Sequence, residues 1–217
     1  MADHRQTIER TAVHVRGLLT AEGSHDWFHT QRVRRTALAI GSEEGADLFI
    51  VELAALLHDV ADWKFAGGDH EAGPHAARRW LESIGMVPTV TDHVSDIIAG
   101  LSFKGAGVAT PMPTLEGQCV QDADRLDALG AIGIARAFAY GGHKGSALYD
   151  PAIPHQPHDS FEEYKKGTGP TINHFYEKLL LLKDRMNTKT GMRLAAERHR
   201  FMEQYLEQFF AEWEGRA

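Results

Sequence analysis

The chain is 217 residues long, 43% hydrophobic and 24% charged, the composition of an ordinary folded protein, and this excludes a disordered or fibrous one. Its formal charge of -7 argues against the broad basic face that sequence-independent nucleic-acid binding needs, so no nucleic-acid partner is expected. A small anionic substrate remains compatible, because a local cation cluster or a metal can hold phosphate on an acidic protein.

No apolar run approaches the roughly 20 residues of a bilayer span, and the opening MADHRQTIERT lacks the hydrophobic core of a signal peptide. These features predict a cytoplasmic protein with no membrane partner. The single cysteine, Cys119, has no internal partner for a disulfide and reads as small core filler. No Pro/Gly/Ser-rich linker divides the chain, so one domain over residues 1–217 is expected.

Apolar residues recur at helical spacing throughout. Over about 4–21, Ile8, Ala12, Val15 and Leu19 share one stripe, and Gly23 with Ser24 supplies a stop and a new cap. A second helix, about 25–44, sets His29 on the face of Val33, Thr36, Ala37 and Ile40. ADLFIVELAALLHDVA, about 46–61, is apolar nearly all round, as a helix in the middle of a bundle is. Helices over about 70–84 and onward from Pro88 follow, the latter with Val90, Val94, Ile97, Ile98 and Leu101.

After a loop over 102–114, residues from about 115 to 139 read as one helix despite Gly130 and Gly133, which mark close packing. A polar connection to about residue 170 is long enough for a lid or substrate loop. Helices over about 171–186 and 190–213 end the chain, with no alternating strand pattern and no repeat. The fold predicted is an all-α helical bundle.

Within LLHDVAD, His58 and Asp59 lie about 100° apart around a helix and can grip one ion, with Asp62 overlooking the same spot. His29 and Asp124 each sit on a predicted apolar helical face, Asp124 with Val120, Ala128 and Ala131. A buried aspartate is costly unless it is paired or binds metal. Asp122 competes with Asp124 for that role, and the apolar face favours Asp124.

HDWFH, LLHDVAD and QDADRLDALGAIGIAR, in that order and spacing, resemble the HD-domain metal-dependent phosphohydrolases, in particular the branch of small bacterial HD hydrolases to which YpgQ and YedJ belong. The motifs cover about residues 20–140. The resemblance implies an HD-domain bundle whose metal ligands are His29, His58, Asp59 and Asp124. Mixed imidazole and carboxylate ligation suits manganese first, with nickel, cobalt, iron, zinc or magnesium as alternatives.

Such a site would activate water and polarise a phosphoryl oxygen, with Asp62 orienting or deprotonating the water or protonating the leaving group. His25, Lys64 and Arg125 are the candidate phosphate contacts. The remaining histidines, His70, His75, His93, His143, His155 and His158 among them, read as surface or loop residues. In one respect the chain departs from the branch: Leu101 stands before Ser102 and Phe103 where histidine is common, which weakens the case for a second metal.

The resemblance further implies a nucleotide substrate, with nucleoside triphosphates cleaved to monophosphate and pyrophosphate. Three alternatives fit the same residues: a phosphomonoesterase of the 5'-nucleotidase kind, a di-iron oxygenase, and a non-catalytic nucleotide-binding module. No Walker loop is present. The amphipathic helices are compatible with a homodimer.

Overall fold

The computed structural model describes residues 4–19, 26–61, 71–101, 110–155 and 169–217. Among them every regular element is helical, and no strand occurs. The contacts group into two compact units: residues 1–103 with 110–123, and residues 104–109 with 124–217. The division falls inside one helix.

The first unit begins with α1 (His4–Leu18), α2 (Trp27–Glu44) and α3 (Leu48–Leu57). Asp47 caps α3, its carboxylate accepting from the amides of Phe49 at 2.9 Å and Ile50 at 3.4 Å, and Glu116 accepts from the Asp47 amide at 3.0 Å. The near-continuous apolar sequence of α3 has the burial expected of it: Val51 and Leu53 through Leu57 are wholly buried. Around it pack α1, α2 and α5 (Pro88–Gly100), and α4 (Ala72–Ser83) lies on α5. Gly100 and Gly117 both border Met112, whose side chain would meet a Cβ added at either position.

The predicted helix over 46–61 is shorter than expected, since α3 ends at Leu57 and residues 58–61 form turns. His58 explains the stop. Its ring Nδ1 takes the Ala55 carbonyl at 2.8 Å, the acceptor that a continuing helix would offer to the Asp59 amide.

The predicted single helix over 115–139 is two: α6 (Leu115–Asp127) and α7 (Gly130–Lys144). The chain tightens as the amides of Ala128 and Leu129 donate to the carbonyls of Arg125 and Leu126, and Gly130 then takes φ +71°. A Cβ at Gly133 would stand 2.2 Å from the Ala128 carbonyl oxygen, so only glycine lets the first turn of α7 approach the corner. α7 also runs on to Lys144, which shortens the connection expected after it.

In the second unit α8 (Thr171–Glu177) gives way at Lys178 to a 3₁₀ segment (Leu179–Arg185), where one helix was predicted. The last helix, α9 (Lys189–Trp213), is capped by the Thr188 hydroxyl accepting from the Gly191 amide at 2.9 Å. Its Tyr205 and Phe209 pack with Phe138 and the fully buried Phe175, with ring centroids 5.9 to 6.5 Å apart. Among the described residues no helix is long and apolar enough to cross a membrane.

Candidate metal centre

His29 occupies the first turn of α2. Asp26 caps that helix, accepting from the His29 amide at 2.7 Å, so the residue that starts the helix also fixes the backbone of the histidine. The cap was expected at Ser24 and lies instead at Asp26, a residue type that signals a helix start directly before the apolar run. The His29 side chain is 1% exposed.

His58 meets it from the end of α3. The two Nε2 atoms are 3.2 Å apart, and Asp59 Oδ2 lies 3.3 Å from each. The His58 side chain is 3% exposed and that of Asp59 13%. Because Nδ1 of His58 donates to the Ala55 carbonyl, a neutral His58 presents its lone pair at Nε2.

Three donor atoms converging this closely fit a cation. Atoms about 2.1 Å from one ion and separated by angles of about 90–110° lie about 3.0–3.4 Å from one another. The donor set, two imidazoles and one carboxylate, is that of a divalent transition metal, and these three residues form a metal-compatible group among the described residues. Burying three polar side chains together without such a partner is costly.

Asp124 belongs to the second unit and is half-buried on α6. The apolar face expected around it is not continuous, because α6 ends at Asp127 and Ala131 is exposed on α7. On the same helix, Asp122 is wholly buried. Burial alone therefore reverses the order of the two aspartates, and Asp124 keeps its place on the motif.

Arg125 is 7% exposed, and its guanidinium donates to the Arg185 carbonyl, bracing α6 against the 3₁₀ segment. Asp127 pairs with Arg136, and Arg198 donates to the Leu126 carbonyl, so the end of α6 is held by three arginines. Burial lowers the pKa of Arg198, and Asp127 opposes that shift. His25, Asp62 and Lys64 lie outside the described residues, as do His70 and His158. Of the other histidines, His75, His143 and His155 are exposed, whereas His93 is half-buried with Nε2 3.7 Å from Glu116.

The HD domain family model matches residues 27–129, a span that contains His29, His58, Asp59 and Asp124. YpgQ of Bacillus subtilis is 42% identical over 209 residues, covering 92% of this chain and 90% of its own. The crystal structure of an HD-superfamily hydrolase from Bacillus thuringiensis superposes with a TM-score of 0.77 at 46% identity, covering 98% of this chain and 99% of that one. The crystal structure of Bacillus subtilis YpgQ in complex with ADP gives a TM-score of 0.77 at 37% identity over 96% of both chains. With its helical fold and its paired histidines beside Asp59, the chain belongs to the HD-domain family and is a metal-dependent phosphohydrolase.

Proposed function

We propose that this hydrolase acts on nucleotides, cleaving (deoxy)nucleoside triphosphates to monophosphate and pyrophosphate, with manganese as its ion. The observation that carries the reading is the convergence of His29, His58 and Asp59 within 3.3 Å of one another. The nucleotide class is supported by similarity to YpgQ, whose crystal structure holds ADP. Asp124 is proposed as the fourth ligand, on its place in the motif QDADRLDALGAIGIAR.

A divalent ion bound there would make water more acidic and polarise a phosphoryl oxygen. The chain's own residues do the rest. His29 and His58, held by α2 and by the Ala55 carbonyl, keep their Nε2 atoms directed at one point, so little is lost in ordering them when the ion enters. Asp59 supplies the negative charge that offsets part of the ion's. Asp62 accepts a proton from the attacking water or returns one to the leaving pyrophosphate.

His25, Lys64 and Arg125 contact the phosphate oxygens in this proposal. Arg125 does so while keeping its bond to the Arg185 carbonyl, because a guanidinium has five N–H donors. The attack forms a bond from water oxygen to the α-phosphorus and breaks the bond to the bridging oxygen, which leaves with pyrophosphate.

Chromatographic analysis of products, with manganese, a panel of nucleotides and an Asp59→Ala control, tests the reading. Monophosphate plus pyrophosphate from the wild type alone is the expected result. Free phosphate released from monophosphates would replace it with a nucleotidase. No turnover with any metal would overturn the hydrolysis of nucleotides, and iron stoichiometry with oxygen dependence would then separate an oxygenase from a binding module.

A further inference from the structure

The second unit contains a cavity of ≈ 370 Å³, within the roughly 300–1,000 Å³ of small-molecule pockets. Aromatic faces form much of its wall. Tyr149 is braced edge-on by Phe210 and Trp213, each with its ring centroid 5.2 Å away. His155 lies against Tyr176 with centroids 4.7 Å apart and planes 23° from parallel. Flat, rigid rings of this kind receive a flat ligand at small entropic cost.

Two acceptors stand among these rings. Asn173, 4% exposed, donates Nδ2 to the Ile153 carbonyl at 2.9 Å, and this fixes the amide with Oδ1 left to accept. Asp150 accepts from the Ala152 amide at 2.9 Å through Oδ1, while Oδ2 has no hydrogen-bond partner among the described residues. A carboxylate repels phosphate, so the group recognised here is neutral and rich in donors. Desolvation raises the pKa of the Tyr176 phenol, which therefore stays a protonated donor at neutral pH.

We propose that this pocket binds the guanine base of a nucleoside, with Asp150 accepting from its N1–H and 2-amino group. Guanine offers two adjacent donors on one edge, and a carboxylate with two oxygens matches paired donors of that kind. Adenine and cytosine present one amino group beside an acceptor, and the acceptor would face Asp150 unfavourably. The ring lies against Tyr149, Tyr176 and His155, and Asn173 Oδ1 takes a further donor. This inference rests on the cavity alone and is independent of the reading of the metal centre.

Calorimetry on the full chain in chelator tests it, because nucleosides carry no phosphate and the metal chemistry is silenced. Guanosine is expected to bind, inosine, which lacks the 2-amino group, at least tenfold more weakly, and adenosine more weakly still. Asp150→Asn keeps the acceptor for the Ala152 amide and should weaken guanosine at least tenfold. Ile153→Trp, at a lining position that is 47% exposed, should fill the cavity and do the same without touching Asp150. Absence of guanosine binding, equal binding of the three nucleosides, or indifference to both variants would each overturn the proposal. Failure to hydrolyse nucleotides would leave this result unchanged, so the two readings fail separately.

Discussion

His58 donates Nδ1–H to the carbonyl of Ala55 at 2.8 Å and sets its Nε2 3.2 Å from Nε2 of His29. One hydrogen bond thus ends α3, selects the imidazole tautomer and aims the lone pair at a second histidine. The cooperation is physical: the carbonyl is available because the helix stops, and the helix stops because the ring has taken it. A pair of neutral imidazoles so close, with a carboxylate beside both, is a site preorganised for a cation.

Removing the carboxylate should remove the ion. For Asp59→Ala we expect loss of bound metal and a fall in turnover of at least ~100-fold, given that even an outer partner of a ligand is worth about 10–100-fold. Elemental analysis after dialysis, beside assays with chelator and with manganese restored, checks this. Full metal content in the variant would remove Asp59 from the ligand set.

Asp62, Asp122 and Asp124 separate by which property each variant loses. Asp62→Asn should keep its metal and turn over at least ~tenfold more slowly, in the lower range for a lost general acid or base. Asp124→Asn should lose metal. Asp122→Asn, at a wholly buried site, should keep metal and lower the melting temperature. The opposite metal contents for the last two would transfer the ligand role to Asp122.

Gly133→Ala should destabilise the fold by about 1–3 kcal/mol, the cost of overpacking, because its Cβ would stand 2.2 Å from a backbone oxygen that cannot rotate away. Gly142→Ala on the same helix has nothing within 4 Å of the new Cβ and serves as the control. Urea unfolding of the two should differ by most of that amount; equal midpoints would mean the corner at Ala128 relaxes.

Burial lowers the pKa of His14, whose ring stacks on Trp80 with centroids 3.7 Å apart. The unfolded chain then takes up this proton at a higher pH than the folded one, so the stability is fully present above the ordinary histidine value and is lost as pH falls below it. Replacing His14 by Phe keeps a ring on Trp80 and should flatten the melting temperature between pH 7 and pH 5, roughly the range about the model value. An unchanged acid slope would assign the loss to other groups.

Burial, with Asp122, Glu44 and Glu116 adding to it, pushes the Cys119 thiol up to about 12. Thiolate is the reactive form, so the native protein should resist a thiol reagent at pH 8, a condition under which a free cysteine of pKa about 8.5 reacts readily. Unfolding in denaturant should restore one reactive thiol per chain. Rapid labelling of the native protein would show that Cys119 is accessible.

Much of this was legible in the amino-acid order. Helical spacing is a local property, so α1, α2, α5 and α9 could be read to within a few residues, and the apolar run of α3 announced its burial. Residue chemistry in sequence, His29, then His58 with Asp59, then Asp124, was enough to name a metal-dependent phosphohydrolase before any distance was known.

Boundaries that depend on a competing hydrogen bond were not legible. No periodicity reveals that His58 will take the Ala55 carbonyl and stop α3, or that the Ala128 corner will split 115–139 where the glycines hinted only at close packing. The cap at Asp26 and the depth of Asp122 likewise depend on which neighbours arrive from elsewhere in the chain. The sequence by itself determined the chemistry on offer and the helices that carry it, because both are encoded in residue type and local spacing. Only the tertiary structure decided that His29, His58 and Asp59 meet within hydrogen-bonding distance, since a separation of 29 residues is closed by packing and by nothing in the order of the residues themselves.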